Sequence, residues 1–277
     1  MPSAIGIATF LAAALLYGAA AVLYYLDVAR GTAETLRPNR APSALLGAGA
    51  VAHLAYVLVA SLLAHACPVY SIHFFLSMAS VFAIGVYLVA RRSFRIHGLG
   101  LLLAPVGLMV TLSTFALGRP GAPGTLPPRF IGLHVFANLC GSALFLLACV
   151  AAVLYLAKER RLKKKRGVLK AKLPSLDSLD RAAHRFVLAG FPLLTVGLAT
   201  GTMSAPRLDA VTADGLLRAL FGWATWLLFG VVLLLRRFGW RGRRAAYGTV
   251  AGFACALIVL LIYVLRPALH GAALLGG

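Results

Sequence analysis

Long apolar runs, separated by short polar segments rich in cations, make up almost the whole chain. Eight of these runs are long enough to cross a bilayer, which takes about 20 helical residues. They cover residues 4–26, 43–65, 71–90, 98–117, 130–157, 181–203, 216–235 and 245–265. No stretch alternates like a strand of a membrane barrel. The pattern predicts an all-α, polytopic membrane helical bundle of about eight transmembrane helices, forming one integral-membrane domain over residues 1–277.

The positions of the cations predict how this bundle is oriented. Of the 27 Lys and Arg residues, 22 lie in the first, third, fifth and seventh loops and five lie in the others. Because cytoplasmic loops carry the excess of cations, we expect the odd loops to be cytoplasmic and both termini to be outside. Met1–Tyr25 holds no Lys or Arg, whereas a cleaved signal peptide begins with positive charge. The first helix is therefore predicted to be retained.

The fifth loop, residues 158–180, holds the densest cluster of cations, Lys158–Lys172. One interpretation is that this basic cytoplasmic loop binds anionic membrane lipids or an acidic cytoplasmic partner. The other is that it serves as an orientation signal and a solvated extension of helix five. The second interpretation requires no partner and is the one the sequence favours.

Composition removes several classes of function. The chain is 61% hydrophobic and 12% charged, with a mean hydropathy of +0.90, whereas soluble domains are about 45–50% apolar and about 25% charged. A soluble enzyme is therefore excluded. The net charge of +20 does not indicate nucleic-acid binding, because the cations lie between membrane-spanning runs. P-loop, GxSxG and HExxH motifs do not occur in the sequence, and the seven acids lie outside the apolar runs, which disfavours an ion-coupled transporter.

Two histidines suggest a haem site. His134 begins helix five and His270 follows helix eight, so the predicted orientation places both at the outer surface. A pair of facing imidazoles can ligate haem iron from both sides. Arg266 lies one turn before His270 and could pair with a haem propionate, as could Arg129, while Asn138 could orient the His134 ring. The alternative is that both histidines are simple interfacial anchors.

His53 is a separate candidate because it lies in the middle of helix two. An ionisable group at this depth is a candidate for function, including cofactor binding, or a histidine hydrogen-bonded between helices. Asp177 with Arg181, and Asp180 with His184, are spaced to pair along helix six.

The second half of the chain resembles a known family, the cytochrome c assembly family of the CcsA/HemX type. The matching segments within residues 130–271 are Leu133-His134-Val135, Leu179-Asp180-Arg181, Gly190-Phe191-Pro192-Leu193-Leu194-Thr195 with Gly197 and Gly201, Gly239-Trp240-Arg241-Gly242-Arg243-Arg244, and Leu269-His270. The resemblance implies a multi-pass protein of a bacterial inner membrane that handles haem at the outer face. It also implies His134 and His270 as iron ligands, with apocytochrome c and other assembly membrane proteins as partners.

Two departures from the family pattern point to its HemX-like branch. The synthases carry a Trp-rich WxWD motif between the helices matching six and seven, and residues 204–218 contain no Trp. They also carry a histidine near the end of helix seven, which residues 231–236 lack. These absences argue against haem attachment by this chain alone. They leave an alternative function, a membrane regulator of a cytoplasmic haem-biosynthesis enzyme that acts through the basic loop. A small-molecule transporter with His53 as its buried ionisable group is a third hypothesis.

Overall fold

Eight helices account for nearly all of the described chain. The computed structural model describes residues 3–30, 40–65, 71–94, 96–118, 128–163, 174–203 and 213–274, without the side chains of residues 30, 93–94, 128–131, 214 and 263–274. The helices are α1 (Ala4–Arg30), α2 (Ala41–Leu63), α3 (Ile72–Phe94), α4 (Gly100–Leu117), α5 (Pro128–Lys163), α6 (Leu176–Met203), α7 (Ala213–Arg237) and α8 (Arg243–Leu274). Each is long and apolar enough to cross a membrane. The prediction of an all-α bundle of eight transmembrane helices is confirmed.

Several helices continue beyond the apolar runs that predicted them. Helix α5 ends at Lys163 rather than at residue 157, and its last turn holds an ion pair between Lys163 and Glu159, with 2.8 Å between Nζ and Oε1. Helix α8 continues to Leu274, so His270 lies inside this helix instead of following it. Hydropathy locates the part of a helix that lies in lipid, whereas side-chain pairs extend helices into water.

The helices pack as two groups of four. Helix α1 packs against α2 and α4, and α3 packs against the same two helices. In the second group α5 packs against α6 and α8, and α7 packs against these two. Helix α3 also packs against α5, which joins the groups. The largest buried cluster includes Tyr17, Tyr87, Leu147 and Phe229, so its side chains come from both groups.

Glycines allow α5 and α6 to lie close together. A Cβ atom at Gly190 would be 3.0 Å from the Phe145 ring, closer than side chains normally approach. Small residues at helix interfaces in membranes gain van der Waals contact in this way, because lipid provides no hydrophobic force between helices. The Phe145 ring stacks in turn on Phe229 of α7, with 4.1 Å between ring centroids. The α5–α6 pair is therefore the centre of the second group.

The start of α6 is tied to the turn between α7 and α8. Arg236 donates to both carboxylate oxygens of Asp180, at 3.1 and 2.5 Å, and the Gly242 amide donates to the same carboxylate at 3.0 Å. Gly242 has φ +65°, a conformation that side chains other than glycine rarely adopt. The predicted ion pair between Asp177 and Arg181 is present. The predicted pairing of Asp180 with His184 is replaced by these contacts, which come from residues more than fifty positions away.

Candidate functional site

His134 lies in the second turn of α5, with its half-buried side chain against α6. Its Nδ1 atom is 3.0 Å from the hydroxyl of Thr200, and its Nε2 atom is 3.2 Å from Nδ2 of Asn138. The same Nδ2 donates to the His134 carbonyl at 2.8 Å. Both ring nitrogens therefore have a partner, one on the neighbouring helix and one on the same helix.

These contacts fix which nitrogen carries the proton. The Thr200 hydroxyl lies 2.7 Å from the Val196 carbonyl, and a carbonyl can only accept. The hydroxyl proton is thus used, and the Thr200 oxygen accepts from Nδ1–H of His134. Nε2 then has a lone pair, which accepts from the Asn138 amide. A neutral imidazole with Nδ1–H held by the protein and a lone pair on Nε2 is the form in which histidine ligates metals.

Two glycines of α6 make room for this arrangement. A Cβ atom at Gly201 would be 3.1 Å from Cε1 of His134, and one at Gly197 would be 2.7 Å from Oδ1 of Asn138. The second distance is shorter than side chains tolerate, so an alanine there would move the amide. Gly197 and Gly201 thus set the distance between the ring and α6.

The structure describes part of the predicted haem site. Asn138 lies beside the ring as predicted, but it contacts Nε2, and the orienting contact at Nδ1 comes from Thr200. Sequence reasoning missed Thr200, although it directly precedes a glycine of the matching segment. The side chains of Arg129, Arg266 and His270 lie outside the described residues. In the described part of the chain, no three His, Cys, Asp or Glu side chains come together to hold a metal ion.

His53 lies in a different environment, fully buried in the first helix group. Its Nε2 atom is 3.0 Å from the Ser77 hydroxyl of α3, and its Nδ1 atom is 3.1 Å from Thr111 of α4. Tyr17 of α1 lies 3.4 Å from the same Nδ1, and Ser77 continues to Thr114 at 2.7 Å. Sequence reasoning missed these hydroxyls, which are ordinary residues in apolar helices. The contacts favour the interpretation of His53 as a hydrogen-bonded link between helices.

The fold and the site together define a class, a polytopic helical membrane protein with a ligand-ready histidine at one end of its second four-helix group. A family model described as cytochrome C assembly protein matches residues 43–270. This range covers most of the chain, including α2 to α7 and most of α8, so the chain belongs to the cytochrome c assembly protein family. The resemblance predicted from the second half thus extends into the first.

Curated relatives agree with this membership. The cytochrome c biogenesis protein CcsA of Chlamydomonas reinhardtii is 27% identical over 174 residues, 60% of this chain and 47% of that protein. The CcsA of Guillardia theta is 25% identical over 201 residues, 64% of this chain and 66% of that protein. The inner membrane protein YpjD of Escherichia coli K12 is 29% identical over 133 residues, 47% and 48% of the two chains. The chain thus spans about half to two thirds of these relatives, and no solved structure gives a significant match.

Proposed function

We propose that the protein handles haem in cytochrome c biogenesis, binding it or passing it on at the outer membrane face. His134 and His270 are the axial ligands in this proposal, and Arg266 contacts a propionate. The observation that carries it is the hydrogen bonding of His134, which holds Nδ1–H on Thr200 and leaves the lone pair on Nε2. Membership of the cytochrome c assembly family supports haem as the cargo.

The residues around His134 fit an iron ligand. Iron at Nε2 would replace one hydrogen of the Asn138 amide, whose contact with Nε2 is 3.2 Å long. The amide keeps its shorter bond to the His134 carbonyl, so it retains a partner after iron binds. Thr200 continues to hold the other side of the ring. Iron binding at His134 therefore needs no change in the packing of α5 against α6.

The second ligand follows from the family resemblance and the predicted orientation. His270 belongs to the Leu269-His270 segment, and it is predicted to lie on the same side of the membrane as His134. Arg266 is one helical turn before it, which is the right spacing for a propionate contact beside the ligand. The HemX-like branch remains our assignment within the family, because of the missing Trp-rich motif. The family partners, apocytochrome c and other assembly membrane proteins, belong to the same proposal.

Absorption spectra of the detergent-purified protein, oxidised and reduced, test the ligand assignment. We expect bis-histidine haem bands in the wild type, weaker or altered bands in His134→Ala and His270→Ala, and no bands in the double variant. His73→Ala is the matched control, since His73 is also predicted to lie on the outer side but bonds to Ser113 at 3.1 Å. Unchanged haem content in the double variant contradicts the assignment. No haem in any sample, even after supplementation, favours the regulator that acts through the basic loop.

A further inference from the structure

A cleft rich in arginine opens between the first turns of α6 and the last turns of α7. Its volume is about 590 Å³, within the range of about 300–1,000 Å³ typical of ligand sites. It lies at the end of the bundle that is predicted to be cytoplasmic, opposite to the predicted haem site. Two aspartates and five arginines line it, the arginines being Arg181, Arg185, Arg236, Arg237 and Arg241.

The charges of the cleft are unbalanced. Asp177 is bound by Arg181, and Asp180 is bound by Arg236 and by a backbone amide. With His184 neutral, the five arginines and two aspartates give the cleft a net charge of +3. In the described part of the chain no carboxylate pairs with Arg237 or Arg241. Clefts lined by one sign of charge concentrate the potential, so this one attracts an anion.

Apolar surface continues directly from the cleft toward the membrane centre. Leu188 lies one turn beyond His184 on α6 and is 54% exposed, and Leu234 lies one turn before Arg237 on α7 and is 58% exposed. Leu233 lines the cleft itself. A ligand that fits this surface therefore carries a negative headgroup attached to an apolar chain, and a small soluble anion would leave the apolar part unused.

We propose that this cleft binds the phosphate of an anionic phospholipid, with its acyl chains along Leu188 and Leu234. Basic pockets between transmembrane helices on the cytoplasmic side are known to take anionic lipid headgroups. The guanidinium groups supply paired donors whose geometry matches phosphate oxygens. The lipid would fill the space between α6 and α7 and steady the end of the bundle where Asp180 ties α6 to the α7–α8 turn.

Native mass spectrometry of the full chain in neutral detergent counts bound lipids and tests this site. The probes are phosphatidylglycerol and phosphatidylcholine with the same acyl chains. Each arginine near an anionic headgroup contributes about fivefold to affinity, so Arg237→Gln/Arg241→Gln should weaken phosphatidylglycerol binding about 25-fold. The matched control is Arg92→Gln/Arg161→Gln, which removes the same charge from exposed positions on the same predicted side, and it should bind as the wild type does.

The remaining outcomes overturn the proposal. Equal losses in the cleft variant and the control would assign lipid binding to the diffuse positive charge of the whole surface. No loss in either variant would exclude the cleft as a lipid site. Phosphatidylcholine binding as tightly as phosphatidylglycerol would exclude the phosphate charge as the recognised feature. Competition by inorganic phosphate at the concentration of the lipid would assign the cleft to a soluble anion. Both arginines are exposed, so the variant should fold.

Discussion

The substitution Thr200→Val tests whether the α6 hydroxyl prepares His134 for iron. Valine and threonine have nearly the same shape, so the main change is the loss of the oxygen that accepts from Nδ1–H at 3.0 Å. Without this acceptor the proton can move to Nε2, where it removes the lone pair that iron needs. We therefore expect weaker haem binding with little change in the packing of α6, which retains its glycines.

The size of the effect follows from the burial of the contact. Thr200 is 8% exposed, and leaving a buried donor without its partner costs about 1–3 kcal/mol. That range corresponds to about 5–150-fold in a binding constant. Replacing a residue that orients a metal-ligating histidine typically costs about 10–100-fold in affinity. Both routes give the same expectation, a haem affinity lowered by about 10–100-fold.

Haem titration of the purified variants, followed by Soret absorbance, measures this affinity. Thr202→Val is the matched control, because its exposed hydroxyl bonds to the Ala199 carbonyl, 2.9 Å away, and no contact with the His134 ring is found. The control should bind haem as the wild type does. Wild-type affinity in Thr200→Val would refute the reasoning, since His134 would then be ready for iron without the α6 hydroxyl.

Three further predictions concern stability and the role of the first helix group. Gly197→Ala should lower the free energy of unfolding by about 1–3 kcal/mol, while Gly85→Ala, which meets nothing within 4 Å, should not; equal thermal stabilities would contradict the close approach. Asp180→Asn leaves Arg236 unmatched and should cost about 3 kcal/mol, against about 0–1 for the exposed Asp177→Asn, both by denaturant titration. His53→Leu should cost about 1–2 kcal/mol and leave haem affinity unchanged; weaker haem binding at unchanged stability would show that His53 has a ligand role.

The sequence was sufficient for the helices because the bilayer sets their length. A span needs about 20 apolar residues, so the runs predicted all eight helices, and the error was confined to the ends. There the chain leaves lipid and is held by particular pairs, such as Lys163 with Glu159 on α5. The end of α8 was missed for the same reason, which placed His270 beyond the helix instead of within it.

Partners of the site residues were harder to predict because they depend on how helices rotate against each other. His134 could be found from its place near a helix end and its neighbours in the sequence. Thr200, 66 positions away, binds its ring only because α6 turns that face toward α5. Asp180 shows the same limit, since helical spacing offers His184 as its partner and the fold supplies Arg236. Contacts within one helix follow from spacing, whereas contacts between helices require the packing.

The partners of the two buried histidines explain why they suit different roles. On His53 every nitrogen contact comes from another helix, Ser77 at Nε2 and Thr111 at Nδ1. A metal at either nitrogen would break a bond that joins helices. On His134 only Nδ1 is bound across helices, by Thr200. Nε2 is bound by an amide one turn away on the same helix, and that amide keeps a second bond. Iron at Nε2 of His134 would therefore leave the bundle intact, which is why we assign haem to the second helix group.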